Sequence, residues 1–231
     1  MASRLAVAGL RWGIAVTGAV ALADAIVVAQ TSSGSAATAD FLSSVTALTN
    51  ILSVIAFAVA GADARRGDSR AGDPGLRRGP HRGRVADARV RRATRVAMMR
   101  ALNVATLVSM SVLFLCIYGP VVVTDPAQLN LTSVVLHVVV PVLTVVEWFV
   151  FPAESRAPLR GVFLVLVFPC LWFVYSFIRG ALTGRYVYEF LDPSGPSGVQ
   201  GVVAMTVLII TCFFLVGAAV FLTQRSRGIR R

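Results

Sequence analysis

The sequence predicts an all-α polytopic membrane protein: six transmembrane helices in one bundle, with both termini in the cytoplasm. Three observations carry this. The 231-residue chain is 56% hydrophobic and 14% charged, with a mean hydropathy of +0.76, whereas about a quarter of a typical soluble domain is charged. Its apolar residues gather in six nearly uncharged stretches: 12–30, 41–62, 97–118, 131–152, 161–178 and 199–222. Each is close to the ~20 residues a helix needs to cross a ~30 Å hydrocarbon core. All 22 basic residues are arginine, and nearly all flank the stretches on one side.

The first stretch has the Arg-flanked, apolar start of a signal peptide. It is longer than a usual signal core and contains Asp24, so a retained span is expected. The second follows a Ser/Ala/Thr-rich outer loop, 31–40. The third is preceded by 63–96, the longest gap, built from Arg, Gly, Asp, Pro and Ala. Its dense like charge predicts a largely unstructured loop, turning helical near 85–96, with His81 in solvent. No gap reaches the ~50 residues at which a soluble domain usually starts, so 1–231 reads as one domain.

The arginines orient the bundle. Arg4, Arg11, eleven in 63–96, Arg156, Arg160, Arg225, Arg227, Arg230 and Arg231 fall on one side, and only Arg179 and Arg185 on the other, with Arg100 just inside the third span. By the positive-inside rule the crowded side is cytoplasmic. The net charge of +11 therefore points to anionic headgroups and not to nucleic acid, for which the basic loop lacks interleaved aromatics. The use of arginine alone suggests a GC-rich bacterial genome, and with it the plasma membrane.

The outer loops 119–130 and 179–198 are short. The second carries Tyr186, Tyr188 and Phe190, expected to form an interfacial aromatic belt. Cys116, Cys170 and Cys212 lie within spans without metal-ligand spacing and read as small buried hydrophobes. No metal motif or phosphate loop appears, and the lone spanning histidine leaves a haem without a second axial ligand. No metal or cofactor is expected.

Ionisable residues within spans are costly, and each is a functional candidate: Asp24, His137 and Glu147. At 100° per residue, Ser43, Thr46, Asn50 and Ser53 share one face of the second span. Ser133, His137, Pro141, Thr144, Glu147 and Trp148 share one face of the fourth. With the N-terminus inside, Ser43 and Thr46 lie ~3–8 Å below the outer surface, His137 ~9 Å, and Asp24 at a similar level. A hydroxyl, an imidazole and a carboxylate in one layer are what a nucleophile, its base and an orienting acid require. Glu147 lies ~15 Å deeper and reads as structural or as a separate site.

The segments FLSSVTALTN (41–50), LHVVVPVLTVVEWFVF (136–151) and FVYSFIRGALTGRYVYEFLDP (173–193) resemble the androgen-induced-protein-like family of multi-pass membrane proteins, most closely its bacterial six-span relatives. Animal members hydrolyse fatty acid esters of hydroxy fatty acids with a membrane-embedded threonine and histidine. The resemblance implies that His137 is the family histidine. It sets Ser43, in Phe41-Leu42-Ser43, at the family threonine, with Thr46 a second candidate. Glu189 stands where a proline is usual. The implied activity is hydrolysis of an amphiphilic lipid ester, with Ser43 or Thr46 as nucleophile, His137 as base and membrane lipids as partners. From the residues themselves, Asp24 is expected to orient the imidazole, and Asn50 and Tyr188 to donate hydrogen bonds to substrate or oxyanion. Two other readings stand beside this one: a non-catalytic binder of lipid or small amphiphiles, and a proton-coupled transporter using Asp24, His137 and Glu147. The oligomeric state is not legible.

Overall fold

The computed structural model describes residues 4–71, 82–124 and 130–227, side chains at 66–71, 82–86 and 121–123 excepted. His81 and the middle of the arginine-rich segment lie outside the described residues. Among those described the fold is all-helical, and six helices are long and apolar enough to cross a membrane. They are α1 (Arg4–Ser43), α2 (Val45–Ala71), α3 (Arg82–Thr124), α4 (Leu131–Val150), α5 (Gly161–Thr183) and α6 (Gly198–Ser226). A single 3-10 turn, Glu189–Leu191, sits between the last two.

Helix α1 lies along α2, α3 packs on both α2 and α6, α5 on α6, and α4 against α1 and α3. The main core combines small residues such as Ala101 and Ala105 with Trp148, Trp172, Phe173, Phe213 and Phe221. Small residues let helices approach closely where lipid supplies no hydrophobic drive to associate. A second cluster of Ile14, Phe57, Leu107 and Val140 joins α1 to α2, α3 and α4. The outer surface is apolar as well, with Leu52, Ile55, Phe163, Leu171 and Leu215 exposed, as expected of a bundle whose solvent is hydrocarbon.

Four expectations change. The 31–40 segment is helical, not a loop: α1 continues through it, broken only at Gly34, whose φ of 75° suits a residue without a Cβ. Most of 63–96 is helical too, since α2 runs to Ala71, α3 begins at Arg82, and Arg92 pairs with Asp63 across the hairpin. Alanine and arginine are strong helix formers, and extending an existing helix avoids the cost of nucleation. The outer aromatics, expected as an interfacial belt, fold back and pack against the bundle core. Tyr186 covers Gly180, where a Cβ would come within 2.2 Å of its ring, and Tyr188 stacks on Phe190 at 5.0 Å. Cys116 and Cys170 are exposed on outward faces and Cys212 is half-buried.

Arg11 leaves the role of a flanking charge, and Arg100, just inside the third span, joins it. Both are buried, at 7% and 6% exposure, and both grip Glu147, itself 1% exposed. Arg11 Nε donates to Oε1 at 2.7 Å and Arg100 Nη2 to Oε2 at 2.8 Å. Arg11 Nη1 also donates to the Ala60 carbonyl at 3.1 Å. The unsatisfied carbonyls at the end of α4 are met by cations, as the helix dipole favours: Arg100 donates to Phe151 O at 2.6 Å, and Arg227 to Trp148 O at 3.1 Å and to Phe149 O. One end of the bundle is thereby tied through a single carboxylate.

Removing that carboxylate leaves two buried guanidinium groups without a counter-charge. Glu147→Gln is expected to destabilise the protein by about 3–5 kcal/mol, read as a lowered unfolding midpoint in detergent. Replacing all three members by Leu and Met is expected to recover most of the loss.

Candidate functional site

Helix α4 is irregular where it carries His137. Its first turn, Leu131–Val134, is capped by Asn130 Oδ1, which accepts the Ser133 N–H at 2.7 Å. A π-helical turn follows at Val135–Val139, and regular α-helix resumes at Val140. The sequence explains part of this. Pro141 has no N–H, so the carbonyl of His137 loses its partner one turn on. Ser111 of α3 replaces that partner, donating its hydroxyl to His137 O at 2.6 Å. Single π-turns of this kind are frequent at functional positions.

The imidazole is held on both nitrogens. Nδ1 lies 2.9 Å from the Ser133 carbonyl, which can only accept, so Nδ1 carries the proton. In the neutral ring Nε2 is then the lone-pair nitrogen, and it faces Thr46 Oγ1 at 3.1 Å. One ring face is covered by Phe114, stacked at 3.8 Å between centroids and inclined by 20°. Tyr118 stacks on Phe114 in turn at 5.6 Å and is 40% exposed, so an aromatic ladder on α3 runs from the outer surface to the imidazole.

Thr46 is positioned by the corner between α1 and α2. Ser44 interrupts the two helices, and its Oγ accepts the Ala47 N–H at 3.1 Å, capping the new helix. Thr46 is therefore the second residue of α2 and half-buried, so it is not sealed from an incoming group. The Tyr188 hydroxyl reaches the same corner, against the Thr46 and Ser44 side chains and the Val45 backbone. Burial pushes its pKa up to about 12, so it remains a protonated donor at any physiological pH.

The structure thus brings together three of the six sequence candidates: Thr46, His137 and Tyr188. Of the other three, Ser43 and Asp24 stand apart, and Asn50 lies beside the pair with its amide spent on backbone. Ser43, the last residue of α1, donates to Ala39 O at 2.7 Å and meets the Tyr175 hydroxyl at 2.7 Å. Its proton is committed to a backbone carbonyl, and His137 is bonded elsewhere. Asp24 does not orient the imidazole. It is exposed and accepts from Thr132, while the Ser133 carbonyl takes the orienting role. Asn50 is no oxyanion donor, because its amide N–H groups go to Thr46 O at 2.9 Å and Leu136 O at 3.4 Å. Its buried Oδ1, which can only accept, has no partner.

Sequence reasoning missed Ser111, Phe114 and Ser44, and placed Ser133 on the polar face of the fourth span without its role. Ser111 and Ser133 had a signal, since Pro141, which frees the His137 carbonyl, lies four residues after His137 and Ser133 four before it. Among the described residues no three His, Cys, Asp or Glu side chains converge as a metal site. No protein-family model, curated protein or solved structure matches the chain.

The tautomer assigned by Ser133 is directly measurable. Nitrogen-15 spectra of histidine-labelled protein carrying His81→Gln, taken at pH 8, are expected to show a protonated Nδ1 and an unprotonated Nε2. A protonated Nε2 would mean that the ring cannot take a proton from Thr46.

Proposed function

We propose that the chain is an intramembrane hydrolase of lipid carboxylic esters, with Thr46 as nucleophile and His137 as general base. One observation carries this reading: the Thr46 Oγ1 to His137 Nε2 contact of 3.1 Å, with Nδ1 fixed on Ser133 O. A nucleophile on a base whose far nitrogen is held by a third group is the arrangement that activates a hydroxyl. The family resemblance of segments 41–50, 136–151 and 173–193 supports the same chemistry. It aligns Ser43 with the family threonine, but the Ser43 hydroxyl is turned to Ala39 O and Tyr175, so the geometry favours Thr46 as nucleophile.

In the first half-reaction Thr46 Oγ1 attacks the ester carbonyl as His137 Nε2 takes its proton. The imidazolium is stabilised through Nδ1–H on the Ser133 carbonyl. Tyr188, a neutral O–H donor at that corner, stabilises the oxyanion. Collapse breaks the acyl–oxygen bond, and His137 returns the proton to the leaving alkoxide. In the second half-reaction His137 deprotonates a water that attacks the acyl-threonine, releasing the fatty acid and restoring Thr46.

Thr46 lies within a turn of the end of α2, so a bound ester carbonyl stays close to the headgroup layer while its chains extend along the Phe114–Tyr118 ladder. This suits an amphiphile entering sideways from the membrane, and fatty acid esters of hydroxy fatty acids have that form. By the arginine asymmetry both termini are cytoplasmic and the site opens to the outer leaflet, in the plasma membrane of a bacterium. Proton-coupled transport is less well supported, because Glu147 is held between two guanidinium groups and not free to load and release protons.

Purified protein assayed on a long-chain ester is expected to lose activity by a factor of about 10²–10⁴ in His137→Ala, and at least as much in Thr46→Ala. Tyr188→Phe should lose roughly 10²–10³. Ser43→Ala should keep most of the wild-type rate. Full activity in Thr46→Ala would remove the reading.

A further inference from the structure

Helix α3 grips His137 at two points. Ser111 donates to its backbone carbonyl at 2.6 Å. Phe114, one turn later, lies over its imidazole with 3.8 Å between ring centroids and 20° between planes. Residues three apart share a helix face, so the hydroxyl that replaces the missing N–H of Pro141 also brings the imidazole to the phenyl. Such a stack has a different value in the two charge states of the ring. A neutral imidazole gains dispersion from it. An imidazolium is a cation on the negative face of an aromatic quadrupole, well within the ~6 Å at which that attraction acts.

A positive charge formed inside an apolar bundle has to be compensated. Where histidine activates a hydroxyl, a carboxylate on the far nitrogen ordinarily does this. Here Nδ1 meets the neutral Ser133 carbonyl and Nε2 the neutral Thr46 hydroxyl. The ionised groups on the elements around the ring are engaged elsewhere. Asp24 of α1 is exposed and takes the Thr132 hydroxyl, Asp40 pairs with Arg179 and Arg185, and Glu147 pairs with Arg11 and Arg100. Tyr118 and Tyr188 are neutral phenols near pH 7.

We propose that Phe114 is a positioning residue whose ring face stabilises His137 in its imidazolium form, in the place a carboxylate ordinarily fills. The proposal rests on the hydrolase reading. The proton leaves Thr46 Oγ1 as its bond to the ester carbon forms, stays on Nε2 through the tetrahedral intermediate, and passes to the leaving alkoxide as the acyl–oxygen bond breaks. Phe114 exchanges no atom in these steps and acts while the ring is charged.

The test weakens the ring face without changing its shape. Trifluorophenylalanine, fluorinated at ring positions 3, 4 and 5, is incorporated at position 114 of full-length, detergent-solubilised protein carrying His81→Gln. Nitrogen-15 histidine spectra from pH 4 to 9 read the protonation midpoint of His137, and ester hydrolysis is assayed in parallel. The trifluoro ring and Phe114→Leu are each expected to lower the midpoint by about one unit, the scale of one desolvated cation–π contact, and to slow hydrolysis about tenfold. Phe114→Tyr, which keeps an electron-rich face, should stay near the wild-type midpoint, and Asp24→Asn should move it less than the trifluoro ring does. An unchanged midpoint with the trifluoro ring would overturn the proposal. So would a larger shift in Asp24→Asn, or a wild-type ring that takes up no proton down to pH 4. The expected shift in protein that hydrolyses no ester would support the contact between Phe114 and the imidazolium and remove the hydrolase reading instead.

Discussion

The Glu147 carboxylate, clamped between Arg11 and Arg100, is the constraint on which the rest of this bundle depends. Three ionised groups inside an apolar assembly are tolerable only if each is paired and hydrogen-bonded. Here the pairing draws one residue each from α1, α3 and α4 to a single point. Side-chain packing alone leaves apolar helices in lipid free to slide, because any face is equally content against hydrocarbon. A buried ionic contact has no such freedom, since sliding α4 by one turn strands two guanidinium groups. The position of Glu147 therefore fixes where His137, almost three turns earlier on the same helix, meets its neighbours.

What His137 does there follows from a proline. Pro141 withdraws one N–H, Ser111 substitutes a hydroxyl, and a π-turn rotates this part of α4 relative to a regular helix. The ring ends with one nitrogen on the Ser133 carbonyl and the other on the Thr46 hydroxyl. The opposing partner is set by a comparable local device, since Ser44 ends one helix and caps the next. Two interruptions of helical regularity thus face each other, and the candidate chemistry lies between them.

The spans were legible because an apolar run of about 20 residues has few alternatives, and the polar faces of α2 and α4 because helical periodicity holds in any solvent. What sequence reading misjudged has a common origin. Counting along an axis gives depth but not azimuth, so Asp24 shared a level with His137 while pointing at Thr132 on the outer side. Counting charges gives topology but not burial, so Arg11 read as a flanking charge and Arg100 as a residue near the end of its span, neither as a partner of Glu147. Matching a Phe-Leu-hydroxyl context selected Ser43, because the helix break at Ser44 that turns Thr46 toward the imidazole depends on a cap and not on periodicity. The 31–40 segment, polar and small, looked like a loop because its helicity is extended from the apolar run before it.

The central claim is that Thr46 is an activated hydroxyl. It is tested most directly by treating the folded, detergent-solubilised protein with a fluorophosphonate probe and locating the modified residue by peptide mass. The account predicts a phosphonylated Thr46 that disappears in His137→Ala and persists in Ser43→Ala. A label on Ser43, or no label on folded protein, would contradict it and leave His137 as a buried structural histidine.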